Sequence, residues 1–573
     1  MKQMGPSSMQ KQALIEEARR VLLSEFAPGH ARNSEITTNY IPPYEVLNVT
    51  LRCDGRLRAS KSGRGGDAIT QVRAAMRRAV RDTRFGARIV ARDLDNLHIE
   101  IWIEIFREKV APSDDGNGIP FLFGIHGLEV VQGGARAYYK PSVALTTASK
   151  TVSELLATLC IKAGLPPAQW QMPSVTIYRT YWLHLTSGCA GPYQELIGLR
   201  SPKMEAISQK NITEMFRNGS DYLTNVQDAN GWYLYEENAL RDTYRDGPVN
   251  LVRMAGCAYS LSIAANLETK VDSRRRYYES SVRCSNAILG RAVDGPFGLM
   301  ILDEPENGRK VAKLGIVALL SLAIGQRTVL GQFSPVFDTL IKTLIAAQRS
   351  NGSFRCRLDT DTDNDDAGQD YYPGQALLAL ALAAQLGYRG IREAVLPAFS
   401  YYRAHFSRRP NSGFILWQVD AWTRFAMLGY HQDIPKFVFL MIEWILKFQI
   451  SKERDSRTGG GFRINGRPTI ATSVYTEAIV RGAQLAQFEK DFVRRDRYLE
   501  AIVDGIAFCR TLMVSSEHRP FVSRSRIGVG GVTGNLETFD VRCDNVQHLI
   551  TMAIAALELH REISVEQPGG WLS

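Results

Sequence analysis

The sequence has no apolar segment long enough to cross a membrane. Its longest mainly apolar runs, 315–325, 376–386 and 437–446, are all well short of the roughly 20 residues that a bilayer requires. The first twenty residues, MKQMGPSSMQKQALIEEARR, lack the apolar core of a secretory signal. We therefore expect no membrane span and a cytoplasmic location.

The sequence also lacks the cysteine and glycine patterns that hold metals and nucleotides. Its 8 cysteines are scattered, with no CxxC pair and no Cys/His spacing typical of zinc. The triplet Gly459-Gly460-Gly461 is not followed by the Gly-Lys-Ser/Thr of a phosphate-binding loop. We expect reduced, buried cysteines, no metal site and no cofactor.

The excess of basic over acidic residues is modest. Lys and Arg number 69 against 59 Asp and Glu, a formal net charge of +10 on 573 residues. The basic stretches 52–64, 73–88 and 274–276 are typical of solvated helix faces and loops, and no helix-turn-helix, zinc finger or aromatic RNA platform accompanies them. A nucleic-acid partner is therefore not expected. With 45% hydrophobic and 22% charged residues, the composition is that of a globular protein.

The first third of the chain mixes helical and strand patterns, which indicates an α+β domain over residues 1–195. His98–Phe106 alternates apolar and polar residues and predicts a half-buried strand. Gly133-Gly134 predicts a hairpin between 121–132 and 135–139. Further strands are predicted at 42–52 and 175–185, and helices at 13–25, 68–81 and 149–164.

Several stretches in this part resemble the AMMECR1 family, in order, over about residues 12–188. They are ALIEEARRVLLSEF, AVRDTRFGARIVARDLDNLHIEIWI, GIHGLEVVQGGARAYYKPSVA and TVSELLATLCIKAGLPPAQW. The family motif Leu-Arg-Gly-Cys-Ile-Gly corresponds here to 57–62, so Ser60 replaces the motif cysteine and both glycines are lost. Because serine is a much poorer nucleophile than a thiolate, we predict that Ser60 is not a nucleophile. Cys53 is a possible substitute, with a structural role as the alternative.

From about residue 203 to 562 the pattern becomes one of successive amphipathic helices. About twelve are predicted, at 205–224, 250–268, 274–291, 310–324, 332–349, 374–387, 389–406, 418–430, 433–449, 472–487, 494–513 and 543–562. Gly-rich loops recur after about every second helix, which favours six helical hairpins closed into an (α/α)6 toroid. A superhelical solenoid is the alternative, but no fixed repeat period is present.

This second region resembles six-hairpin toroid proteins such as glycoside hydrolases, uronyl lyases, the C-terminal domain of glucuronyl C5-epimerase and terpene cyclases. The resemblance rests on the helical pattern and on three stretches, NLVRMAG, YYPGQA and VRCDNVQH. It implies a carbohydrate-processing or epimerase-like protein without defining the reaction.

Carboxylates, aromatic residues and a histidine stand at or near the predicted helix starts. In a toroid alternate helix starts converge on one rim, so these groups could share a cleft in which aromatic rings stack on sugars and carboxylates act as acid and base. The alternative is that the acidic residues are helix caps and the aromatic residues pack the ring. The predicted catalytic residues are Asp370, Asp420, Glu477, Asp544 and His548. The predicted substrate-binding residues are Arg253, Tyr235, Tyr372, Trp417, Trp422 and Gln547.

The aspartate run at 359–370 suggests two further hypotheses. It partly fits a calcium-binding loop, but the sixth position is not glycine and Asp370 stands where a bidentate glutamate is required. The letters Asp363-Asn364-Asp365-Asp366 also fit an acidic terpene-cyclase motif, but no aromatic residue follows directly. A solvated acidic loop on the cleft rim is the simpler interpretation.

The sequence thus predicts an AMMECR1-like α+β domain (1–195) followed by an (α/α)6 toroid (203–562). The leading functional hypothesis is an epimerase, hydrolase or lyase that acts on a saccharide-like or other polar polymer substrate. The alternatives are a non-catalytic scaffold that binds a protein partner and, with less support, a terpene-cyclase-like enzyme.

Overall fold

The computed structural model describes residues 5–26, 40–111, 119–147, 149, 151–201, 206–241, 243–244, 249–304, 310–360, 368–452, 457–464, 466–522, 529–566 and 571–572. The predicted aspartate run at 361–366 lies outside these residues. A sheet-rich part comes first in the chain and a ring of helices follows it.

The N-terminal part is built on one antiparallel sheet. Its strands are β1 (Leu47–Cys53), β2 (Arg56–Ser62), β3 (Leu97–Val110), β4 (His126–Gln132), β5 (Ala135–Tyr139), β6 (Thr176–Gly188) and β7 (Gln194–Leu196). The strand order is β2-β1-β3-β6-β4-β5, and β7 also pairs with β6. Four helices accompany the sheet, α1 (Ser8–Phe26), α2 (Ala68–Ala79), α3 (Pro141–Thr146) and α4 (Val152–Lys162).

The two faces of this sheet differ in chemistry. Alternate apolar residues of β1 and β3, such as Val49 and Ile101, pack with buried residues of α1 and α2 in one core. The residues between them on the same strands are polar or amphipathic, yet they are also buried: Asn48, Thr50, Arg52, Glu100 and Trp102. The sheet therefore carries a buried polar face opposite its apolar one.

Most of the predicted elements of this part are present, but β2, β7 and α3 were not predicted. The β2 sequence RLRASKS has no apolar alternation, and only Ala59 in it is buried. It is held as a strand by pairing with β1, in which Thr50 lies opposite Ser60. Tertiary pairing overrides local propensity here.

In the described residues that follow there are twelve long helices, in agreement with the prediction. They are α5 (Gln209–Asn225), α6 (Leu251–Leu267), α7 (Val271–Leu289), α8 (Leu314–Gly325), α9 (Pro335–Ala346), α10 (Tyr372–Gln385), α11 (Ile391–Arg408), α12 (Ile415–Met427), α13 (Ile434–Leu446), α14 (Ala471–Phe488), α15 (Phe492–Thr511) and α16 (Cys543–Glu566).

These helices form a closed double ring. The even-numbered helices pack in the order α6-α8-α10-α12-α14-α16, and α16 packs again on α6, which closes the inner ring. Each odd-numbered helix packs outside against the inner helices. The predicted (α/α)6 toroid is therefore the fold, and a solenoid is excluded because its first and last repeats would not touch.

Short strands in the loops were not predicted. They are β8 (Glu236–Asn238), β9 (Thr243–Tyr244), β10 (Ala292–Gly295), β11 (Gly298–Ile301) and β12 (Asp540–Arg542). β12 pairs with β8, about 300 residues earlier, so this small sheet joins the first and last helical hairpins. Such a pairing leaves no signal in the local sequence.

The N-terminal part and the segment that follows it contact the toroid through hydrogen bonds and an aromatic ring. Arg200 donates hydrogen bonds to the Thr511 carbonyl and to Thr533 Oγ1, each at 2.8 Å. The Phe521 ring lies 5.9 Å from the His184 ring and 5.8 Å from the Arg52 guanidinium carbon. Arg200 lies in the predicted linker between the two domains, whose boundaries stay a prediction.

Candidate functional site

All six inner helices start at the same end of the ring, because each follows an outer helix that runs in the opposite direction. We call this end the N-terminal mouth and the other end the C-terminal mouth. At the N-terminal mouth lie eight of the side chains discussed below: Tyr235, Arg253, Tyr372, Gln375, Trp417, Asp544, Gln547 and His548.

Asp544 is held by two guanidinium groups at the start of α16. Arg542 Nε donates to Asp544 Oδ1 at 3.0 Å, and Arg253 Nε lies 3.1 Å from Asp544 Oδ2. Burial works to raise the pKa of Asp544, but the hydrogen bond from Arg542 and the charges of Arg542 and Arg253 lower it overall. The Arg253 guanidinium lies 4.9 Å from the centroid of the Tyr235 ring. Asp544 is therefore an ionised carboxylate in a fixed position.

His548 stands one helical turn after Asp544, on the same face of α16. Its ring lies 6.0 Å from the ring of Trp417 on α12. Because α12 and α16 are not neighbours in the ring, these two side chains meet across the bore. Burial, more than any other cause, lowers the pKa of His548 to about 4. The imidazole is thus neutral at neutral pH, and its buried Nδ1 has no hydrogen-bond partner among the described residues.

Glycines in the first two turns of the inner helices make room for long side chains of the neighbouring helices. A Cβ on Gly256 would lie 2.4 Å from Gln547 Oε1, and a Cβ on Gly315 would lie 2.5 Å from Gln375 Oε1. A Cβ on Gly374 would lie 2.6 Å from Trp417 Cβ. The buried atoms Gln547 Nε2 and Gln375 Oε1 have no partner in the described part of the chain. Unsatisfied buried amides are costly, so their presence here favours a ligand site.

Asp420 and Glu477 lie in the second turn of their helices, and their contacts differ from those at the N-terminal mouth. Asp420 is the sixth residue of α12 and Glu477 the seventh of α14. Arg424 Nε donates to Asp420 Oδ1 at 2.8 Å, and Arg481 Nε lies 3.5 Å from the same atom. Asp420, Arg424 and Arg481 line a cavity of about 390 Å³ that opens at the C-terminal mouth.

The two carboxyl groups have opposite protonation states. Burial raises the pKa of Asp420, but the charges of Arg424 and Arg481 outweigh it and the net direction is down. For Glu477 burial is the largest effect and raises the pKa to about 8, with a contribution from the charge of Asp420. Thr551 Oγ1 donates to Glu477 Oε2 at 2.6 Å. At neutral pH Glu477 is a buried carboxylic acid and Asp420 a carboxylate within an ion network.

The two remaining predicted residues, Asp370 and Trp422, make contacts that hold neighbouring elements together. Asp370 accepts a hydrogen bond from Asn411 Nδ2 at 3.0 Å and lies 3.4 Å from His405 Nε2, so it ties the loop before α12 to the outer helix α11. Trp422 is fully buried against Phe399 and Phe425 and donates to Gln418. A ligand contact for Trp422 is not supported by this packing.

Sequence reasoning missed Gln375, Arg542 and Arg481. The signal for Gln375 was the glycine Gly315 at the start of the neighbouring helix, which has meaning only once the ring order is known. Arg481 lies four residues after Glu477 and therefore on the same helix face, a spacing that the sequence does contain.

The described residues hold no group of three or more His, Cys, Asp and Glu side chains placed to bind a metal ion. All 8 cysteines are free thiols, and all but Cys189 are buried. Within the same residues, no helix has both the length and the apolar character needed to span a bilayer.

Comparison with known proteins finds one family model that matches the N-terminal part. The family model AMMECR1 matches residues 53–181. This match agrees with the resemblance seen in the sequence, and we call the N-terminal part that contains these residues the AMMECR1 domain. An uncharacterized protein from Pyrococcus horikoshii is similar to this chain with 20% identity and a TM-score of 0.28, over 32% of this chain and 95% of that one.

Solved toroid enzymes are similar to the remainder of the chain. A cellobiose 2-epimerase from Bacillus thermoamylovorans has 13% identity and a TM-score of 0.43, over 60% of this chain and 99% of its own. An α-1,6-mannanase from Salegentibacter sp. has 12% identity and a TM-score of 0.44, over 61% and 99%. No curated protein matches the chain. At these identities and TM-scores, none of the similarities by itself defines an activity.

Proposed function

We propose that the toroid is a carbohydrate-processing enzyme of the proton-transfer type, acting at its N-terminal mouth on a reducing sugar or a related polyol. His548 is the base that removes or returns a proton at a carbon next to a carbonyl group. Asp544 fixes the adjacent guanidinium of Arg253, and Arg253 and Gln547 hold the hydroxyl groups. Trp417 and Tyr235 offer the aromatic faces on which the sugar ring packs.

The observation that carries this proposal is His548 itself. It is the neutral imidazole that meets an aromatic ring across the bore, and its Nδ1 is buried without a described partner. A base must be unprotonated at the working pH and within reach of the substrate proton. A buried, neutral and unpartnered nitrogen meets the first condition, and its place in the bore supports the second.

Proton transfer is favoured over hydrolysis by the distribution of the carboxyl groups. Glycoside hydrolysis uses two carboxyl groups that flank the scissile bond, about 5–9.5 Å apart, with one of them protonated. Here the protonated group, Glu477, accepts a hydrogen bond from Thr551, and Asp420 is held by Arg424 and Arg481 at the C-terminal cavity. Asp544 is paired with two arginines at the N-terminal mouth. Isomerisation needs one base that moves a proton between adjacent carbons and a hydrogen-bonded carbonyl, and epimerisation needs in addition a proton donor on the opposite face of the carbon.

The test is incorporation of solvent deuterium. The protein is incubated in deuterium oxide with a panel of aldoses, ketoses and β-1,4-linked disaccharides, and the signal of the hydrogen next to the carbonyl carbon is followed by proton NMR. We expect enzyme-dependent loss of that signal for at least one sugar, with a rate that is flat from pH 8 to about pH 5 and falls towards pH 4 as His548 becomes protonated.

Two results would contradict the proposal. Release of reducing ends without deuterium incorporation would mean hydrolysis. Binding of a sugar by calorimetry without either reaction would leave a non-catalytic saccharide-binding toroid, the scaffold alternative.

A further inference from the structure

A second cluster of reactive side chains lies on the buried polar face of the sheet in the AMMECR1 domain. At its centre is Lys140, a buried residue that follows β5 directly. Lys140 Nζ donates to Asn48 Oδ1 at 3.2 Å and to Thr50 Oγ1, and it lies 5.3 Å from the centroid of the Trp102 ring. Both acceptors are neutral oxygens.

The nearest carboxylate is already neutralised by other groups. Glu100 accepts a hydrogen bond from Arg52 Nε at 2.6 Å and one from Trp102 Nε1 at 2.9 Å. His184 Nε2 lies 3.1 Å from the same carboxylate. A protonated Lys140 would therefore be a buried cation without an ion-pair partner, a state that costs several kcal/mol.

The hydrogen bonds fit a neutral amine. A neutral lysine amine has two N–H bonds, and two acceptors are provided, which leaves its lone pair free. Of the charged groups around it, Glu100 raises the pKa of Lys140, whereas Arg52 and Lys162 lower it. Burial has the largest effect, and the resulting pKa is about 7.

The cluster has an edge towards solvent. Ser60 and Ser62 on β2 and Tyr138 on β5 are partly exposed. Ser60 Oγ donates to Asn48 Oδ1 at 3.2 Å and lies 3.3 Å from Thr50 Oγ1, so the hydroxyl chain runs from the partly exposed strand to the amine. Ser62 Oγ and Tyr138 Oη are 2.7 Å apart at the same edge.

We propose that Lys140 is the nucleophile of a second site, in the AMMECR1 domain, that condenses with the carbonyl carbon of a small aldehyde or ketone. The amine nitrogen forms a bond to the carbonyl carbon, and an N–H proton passes to the carbonyl oxygen. The C–O bond then breaks, and the hydroxyl group leaves as water with the second N–H proton, so amine and carbonyl compound give imine and water. Thr50 and Ser60 can relay the proton. The site does not depend on the toroid proposal.

The test uses the full-length protein with formaldehyde and sodium cyanoborohydride, which reduces an imine to a stable methylamine. Peptide mass spectrometry measures labelling of Lys140 against the exposed Lys342 and Lys436 from pH 5 to 10. At pH 7 about half of a lysine with pKa 7 is neutral, against about 0.04% of an ordinary lysine. We expect Lys140 to be labelled at least tenfold faster at pH 7, and label at this position to vanish in Lys140→Met.

A second variant separates an activated amine from accidental labelling. In Asn48→Asp a carboxylate replaces the amide oxygen that accepts hydrogen bonds from Lys140, Thr50 and Ser60, so all three bonds can persist. The new charge pairs with the ammonium form. We expect the pH midpoint of Lys140 labelling to rise by at least about one unit. Labelling of Lys140 that follows the same pH curve as Lys436, or no shift in Asn48→Asp, would overturn the proposal.

Discussion

The two mouths of the toroid are built from the same six helices but differ in how their polar groups are satisfied. At the N-terminal mouth, Gln375, Gln547 and His548 each keep a buried polar atom without a described partner. At the C-terminal mouth the dominant contacts are between charged groups: Arg481 Nη1 donates to Glu558 Oε2 at 2.8 Å, although Arg481 Nε and Thr423 Oγ1 are also buried there without a hydrogen-bond partner among the described residues. Neutral buried groups without partners favour a ligand, whereas a buried charge pair becomes strongly destabilising when one of its partners is removed.

The largest effect is expected at the N-terminal mouth. Replacing His548 by Gln removes the base, so the rate of deuterium incorporation should fall by about 10²–10⁴-fold. His560→Gln on the same helix, where His560 packs near Trp571, is the matched control and should keep the rate within about twofold. Equal losses in both variants would mean that α16 is disturbed as a whole and that His548 has no special role.

A substitution at the C-terminal mouth should change the stability of the protein. Arg481→Met leaves the buried Asp420 with one fewer counter-charge and should lower the free energy of unfolding by about 3–5 kcal/mol, measured by urea denaturation. Arg497 forms a surface pair with Glu443 and is about half exposed, so Arg497→Met should cost about 0–1 kcal/mol. If both variants lose the same small amount, the network is not a stabilising element.

The helices and their ring could be predicted from the sequence to different degrees. The segment predicted at 250–268 is α6 at Leu251–Leu267, because its apolar spacing is local information. The contact between α16 and α6 that closes the ring, and the pairing of β8 with β12, join residues about 300 positions apart and leave no local pattern. Closure had to be inferred from the number of helices.

The contacts of the candidate site could likewise not be predicted where they join residues distant in sequence. His548 and Asp544 were predicted from their place near a helix start, and they are the sixth and second residues of α16. Asp420 was predicted on the same ground and is likewise the sixth residue of its helix, yet it contacts Arg424 in an ion network. The sequence could not reveal that Arg481, on a different helix, lies 3.5 Å from Asp420.

A pH dependence should distinguish the two mouths further. Burial raises the pKa of Glu477 to about 8, so the folded protein keeps a proton that the unfolded chain releases near pH 4.5. This contribution to stability is full below about pH 4.5 and is lost as pH rises towards 8, by up to about 1.4 kcal/mol per unit. Glu477→Gln should remove this decline between pH 5 and 8, whereas Glu500→Gln, at an exposed position, should keep it. Parallel curves for wild type and Glu477→Gln would mean that Glu477 is ionised in the fold.

The smallest expected change in stability tests whether the glycines of the N-terminal mouth serve a ligand. In Gly256→Ala the new Cβ would meet Gln547 Oε1 at 2.4 Å, but this atom is the far end of a flexible side chain and can move. The gain of about 1 kcal/mol in helix propensity offsets most of the cost. We therefore expect urea denaturation to show a change of less than about 1 kcal/mol.

Ligand binding should respond differently to the same substitution, because the displaced Gln547 amide can no longer hold a hydroxyl group. We expect the calorimetric affinity for the sugar found in the deuterium test to fall about 5–10-fold, the value of one hydrogen bond. The double variant Gly256→Ala with Gln547→Ala should bind no more weakly than Gln547→Ala alone. A single variant with unchanged affinity would mean that Gln547 packs the ring and takes no part in binding.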